Sequence, residues 1–173
     1  LNVLGNWEVV GPSADLYPLE RVRRAEEYMR THVERCHAAG ARAVFYMGPV
    51  QVPSGNPIFC AAHPDWLRIG ADGKPDAVPN FANIRSGYAG WLLRQLAHVT
   101  REFKVDGFWF DGYAPVHLHT WDEATRKAFR EFSGGKEIPR PPSGDAHAPD
   151  AFDPVRDPVA RQYLAWHEDH FVR

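Results

Sequence analysis

Cysteine is scarce in this 173-residue chain, which has two. That is too few for the disulfide framework that staples small secreted domains. Cys36 falls on the buried stripe of a predicted helix and Cys60 in a long loop, so a bond between them stays open and no compartment follows. No run approaches the ~18 apolar residues that a membrane span needs, and no membrane partner is expected. The first residues, LNVLGNWEVVGPS, lack the basic opening and long apolar stretch of a signal peptide; they also lack an initiating Met, as a processed or trimmed start would. A net charge of -2 supplies no basic face to neutralise phosphates, so no nucleic-acid partner is expected. GxSxG, P-loop and GxGxxG patterns are missing, which leaves serine-hydrolase, nucleotide and dinucleotide chemistry without support, and no cofactor is expected.

What is present is a balance of 44% hydrophobic and 24% charged residues, as in a soluble globular domain with a real core. Aromatic residues reach 13%, with six Trp. Part of that total fills the core. A surplus in loops suits a sugar site, because the apolar faces of pyranose rings stack on aromatic side chains.

Leu19, Val22, Ala25, Met29, Val33 and Cys36 recur at three- and four-residue steps and predict a helix from Leu19 to Ala39, with Pro18 before it and Gly40 after it. The Ala43–Met47 run that follows is continuously apolar, which suits a strand covered on both faces, as in a parallel sheet. Pro49 to Arg85 is rich in Pro, Gly, Asn and Asp, and loops of that length usually serve as lids or binding loops. A second helix is predicted from Ser86 to Lys104 on a stripe of Tyr88, Leu92, Leu96, Val99 and Phe103, with Ser86 as N-cap. Gly107–Phe110 then reads as another buried strand. A third helix is predicted over Asp122–Phe132, a proline-rich loop from Ser133 to Pro158, and a last helix from Val159 onward.

The strand–helix–strand unit, right-handed by the usual rule, predicts an α/β chain forming a parallel (β/α) barrel of TIM type in a single domain. With two clear strands and a third candidate at Leu1–Leu4, the chain falls short of the roughly 250 residues of a closed eight-stranded barrel, and an incomplete or fragmentary barrel is expected.

Asp111 is the leading catalytic candidate. It follows the second strand at its C-terminal end, and a parallel strand in a barrel delivers its last residues to the rim where barrel enzymes place their catalytic groups. Phe108, Trp109 and Phe110 partly desolvate it, and Gly112 permits a sharp turn beside it. The competing role for such an acid is to cap the next turn or pair with an Arg. Asp106 precedes the strand and so reads as turn chemistry and stability.

The stretches HPDWLRIGADGKP, NFANIRSGYAGWLLRQL and FKVDGFWFDGY together resemble the glycosyl hydrolases related to the alpha-L-fucosidase and beta-galactosidase barrels; the later TRKAFREFSGGKEIPR is similar to the helix and acidic-Ile-Pro tail that follow in those families. The resemblance spans roughly Arg42 to Arg140. In the fucosidases the acid ending a Trp-x-Asp-Gly strand is the nucleophile, and the resemblance implies that role for Asp111. The chain departs from the pattern where related hydrolases carry a cysteine pair after this strand; here the residues are HLHTWDEATRKAF.

Glycoside hydrolysis normally uses two acids, and Glu8, in NWEVVGPS, is the best second candidate, though an exposed loop acid would look the same. His63, Asp65 and Trp66 suit a lid that touches hydroxyls and stacks on a ring; HPDW also suits a well-capped turn with a buried Trp. Trp109, Asn83 and Tyr113 are further substrate-binding candidates. His117 with His119, and His167 with His170, have spacings that can ligate zinc, but neither pair has a third ligand nearby and HEDH is not HExxH, so solvated surface histidines are expected. The expected function is a retaining glycoside hydrolase with a carbohydrate substrate. The alternatives are a non-catalytic carbohydrate-binding barrel and a metal-dependent hydrolase.

Overall fold

A computed structural model describes residues 9–50, 57–75, 81–111, 119–141 and 152–171, the side chains of residues 170 and 171 excepted. A 3-10 helix, Gly11–Leu16, leads into α1, Leu19–Ala38, and then β1, Val44–Met47. The Pro- and Gly-rich segment expected to be loop contains α2, Pro57–Ala62, and a 3-10 turn, Pro64–Trp66. After it come α3, Gly87–Phe103, β2, Gly107–Phe110, α4, Glu123–Ser133, and α5, Pro158–Phe171.

The helices begin and end where side chains and backbone can satisfy their unpaired groups. Ser86 accepts a hydrogen bond from the backbone of Tyr88 at 3.1 Å, and Asp122 from that of Thr125 at 3.1 Å. Gly134 closes α4 in the left-handed region at φ 73°, a conformation a glycine adopts without strain. Lys104 closes α3 in the same region, at φ 60°.

β1 and β2 pair in parallel with the register Val44–Gly107, Phe45–Phe108, Tyr46–Trp109 and Met47–Phe110. They form the only sheet among the described residues, and this overturns the (β/α) barrel. The reason lies in how the apolar residues are spaced. Two short apolar runs form strands, but the second is not buried as expected: Trp109 is 65% and Phe110 46% exposed. Most of the other core residues lie on helices and pack by helix contact, and among the described residues no further strand is present to close a barrel. The candidate strand at Leu1–Leu4 lies outside the described residues.

The main core joins Val22, Met29 and Val33 of α1, Phe45 and Met47 of β1, and Tyr88, Trp91, Val99 and Phe103 of α3. The polar ends of its aromatics are satisfied: Trp91 donates to the Ser13 hydroxyl at 2.6 Å and Tyr88 to the Pro49 carbonyl at 2.8 Å. A second cluster, Trp121, Phe129, Ile138, Tyr163 and Trp166, holds α4 against α5. Cys36 and Cys60 are both half-buried.

Candidate active site

Successive side chains of a strand point to opposite faces of its sheet. Phe45 and Met47 therefore share the face turned into the core, where both are 2% exposed. The other face carries Val44 and Tyr46 from β1, and Trp109 and then Asp111 from β2. Trp109 is 65% exposed, unusually open for an aromatic side chain inside a strand. The Asp111 backbone N–H donates to the Met47 carbonyl at 2.9 Å, extending the parallel ladder one step past β2. Its carboxylate, also exposed, accepts a hydrogen bond from the Tyr46 hydroxyl across the sheet. That carboxylate raises the Tyr46 phenol above its usual value, first through the hydrogen bond, with desolvation and the bare negative charge adding less.

The sheet thus brings two of the sequence candidates, Asp111 and Trp109, onto one open face. It also adds Tyr46, which the sequence reading passed over as part of an apolar run. The signal for it was the parallel register: a tyrosine one residue before the end of β1 falls diagonally opposite the acid just past β2.

His63, Trp66 and Asn83 are placed elsewhere and tied to the scaffold. The His63 and Trp66 rings stack on each other at 3.7 Å and 3°, and Trp66 also meets Phe59, Tyr88 and Trp91 at 6.0–6.3 Å. Burial is the main cause that lowers the His63 imidazole from its usual value; Asp65 and Asp15 oppose it. Asn83 is 7% exposed. Its backbone N–H donates to the Trp66 carbonyl at 2.8 Å, its side-chain amide donates to Asp122 at 3.1 Å, and its side-chain oxygen accepts from the Arg85 backbone at 3.0 Å. It joins the HPDW turn, the start of α3 and the cap of α4. Glu8 and Tyr113 lie outside the described residues.

The histidines differ from their expected surface placement. His119 is 3% and His167 1% exposed, with ring centroids 4.4 Å apart. His119 Nδ1 lies 3.0 Å from the Tyr163 hydroxyl. Burial drives the Tyr163 phenol strongly upward, against Arg85 and Arg68, which pull it down. The spacing of two histidines on a helix or an extended segment says nothing about which side a neighbouring element covers, and here α5 packs over the segment from His119 to Trp121. Among the described residues, no three His, Cys, Asp or Glu side chains are grouped to hold a metal ion. His117 and the His170 side chain are outside the described set.

The chain matches no family model, no curated protein and no solved structure.

Proposed function

We propose that the chain is a retaining glycoside hydrolase that uses Asp111 as its nucleophile. The observation that carries this reading is an exposed carboxylate, fixed at the C-terminal end of a parallel strand, on the same open face as a largely exposed Trp109. Trp109 offers an apolar platform for a pyranose ring. Two residue steps along the extended chain, about 6.6 Å, lead from it to Asp111, so a ring resting on or beside the indole has its anomeric carbon within the carboxylate's range. The resemblance of FKVDGFWFDGY to the fucosidase nucleophile strand supports the same assignment.

In the first step an Asp111 oxygen bonds to the anomeric carbon while the glycosidic C–O bond breaks, and the leaving oxygen takes a proton from a general acid. Water then attacks the anomeric carbon of the glycosyl ester, gives up a proton to the general base, and releases the sugar and the carboxylate. Glu8 is the sequence candidate for the acid and base.

Dinitrophenyl glycosides test the nucleophile separately, because the phenolate leaves with little need of a proton. The protein is expected to hydrolyse at least one sugar of a panel, and Asp111→Asn is expected to reduce kcat/KM by about 10³-fold or more, as loss of a covalent nucleophile does. A folded protein that binds these sugars, seen as quenching lost in Trp109→Ala, yet hydrolyses none would replace this reading with a carbohydrate-binding one.

A further inference from the structure

We propose that Tyr46 is the positioning residue of Asp111, its hydroxyl fixing carboxylate Oδ2 on the sheet face that carries Trp109. This rests on the reading of Asp111 as the nucleophile. The geometry is set by the ladder. Tyr46 pairs with Trp109, so Asp111 is its diagonal neighbour two residues further along β2. With strands ~4.8 Å apart and ~3.3 Å per residue, that diagonal is on the order of 8 Å between α-carbons. A tyrosine spans such a distance and arrives with a donor. A phenylalanine or leucine in the same place would arrive with none.

Asp111 is consequently held through both its main chain and its side chain. The main chain is pinned by its N–H to Met47, and the side chain by the hydroxyl of Tyr46. Attack on an anomeric carbon needs one orientation of the carboxylate, and the hydrogen bond from Tyr46 favours one. The hydroxyl donates, so it also favours the ionised form of its acceptor, which is the form a nucleophile requires. The pairing acts in both directions, and among the described residues Asp111 is the charged group that acts on the Tyr46 phenol.

The test is a carbon-13 NMR titration of the Asp111 carboxyl, its resonance identified by its loss in Asp111→Asn, in the full chain and in Tyr46→Phe. The midpoint is expected to rise in Tyr46→Phe, because the carboxylate loses a donor while the ring stays. An unmoved midpoint overturns the proposal. Should Tyr46→Phe not fold, the reciprocal measurement decides: the Tyr46 phenol, labelled at its ζ carbon, is expected to titrate lower in Asp111→Asn, and an unchanged phenol overturns the proposal. With a dinitrophenyl glycoside, the acidic limb of kcat/KM is expected to move to higher pH in Tyr46→Phe, and the plateau to fall by about tenfold from lost orientation. The titrations need no turnover. A coupled pair in a protein that hydrolyses nothing removes the hydrolase reading and leaves the hold of Tyr46 on Asp111 intact, whereas hydrolysis without coupling removes only that hold.

Discussion

Gly87 shows how one missing side chain shapes the HPDW turn. A Cβ at this position would lie 2.6 Å from Nε1 of Trp66, the indole that stacks on His63. Gly87→Ala must therefore displace a packed indole, and a loss of about 1–3 kcal/mol is expected in urea denaturation. Gly90→Ala, on the same helix, is the control. Its Cβ would meet the end of the Arg94 side chain at 3.4 Å, so the better helix propensity of alanine should stabilise by up to about 1 kcal/mol. At this scale the sequence was informative about Asp111, because the end of a strand names the face and rim an acid occupies. It was less so for Trp66 and Asn83. A lid and a scaffold use the same residue types, and what separates them is contact with residues far off in sequence, such as Trp91 for Trp66 and Asp122 for Asn83. Burial of His119 and His167 was illegible for the same reason: the two rings meet from separate segments, and Phe152 covers His119 with its ring centroid 4.8 Å away.

At the scale of elements, a helix start is readable where the cap is local chemistry: Ser86, expected as the N-cap of α3, accepts from the Tyr88 backbone. The buried stripe of α3 was less so. Leu92 and Leu96 were expected inward, yet Trp91 and Gln95 are 2% and 1% exposed while the two leucines are only partly covered. Trp91 is large enough to turn the helix toward Phe59 and the buried Ser13 hydroxyl, and Gln95 follows one turn later. Lys104 carries a prediction of its own. It is the only described non-glycine residue with positive φ, and it ends α3 in the left-handed region where a Cβ crowds the backbone. Lys104→Gly relieves that crowding but adds freedom to the unfolded chain. A net gain of about 0.5–1 kcal/mol is expected from the shift in the urea midpoint, with the α-helical circular dichroism unchanged.

For the whole molecule, two strands flanking a helix do not specify a barrel. The strand–helix–strand pattern is common to every parallel α/β fold, and closure depends on how many strands join, a long-range property that no local pattern encodes. What the local pattern did place is the junction at the opposite end of β2 from Asp111. There Asp106 accepts from the Ala43 backbone at 2.7 Å and lies 2.9 Å from His37, tying the last turn of α1 to the start of both strands. The Ala43 N–H, and after it His37, hold the Asp106 carboxyl below its ordinary 3.8, with burial opposing them. A carboxyl depressed in the folded state gives stability that is complete above its unfolded value and is lost as pH falls through the folded one. The contribution of Asp106 should therefore persist at pH ~6 and fade below pH ~4, where the unfolded chain begins to take up the proton first. Asp106→Asn keeps an acceptor for Ala43 but cannot titrate. Its urea midpoint is expected to lie below that of the parent chain at pH ~6 and to converge on it as the pH drops toward 2. Two midpoints that fall in parallel across this range would show that the junction is held by packing and neutral hydrogen bonds, with the charge on Asp106 adding nothing to the fold.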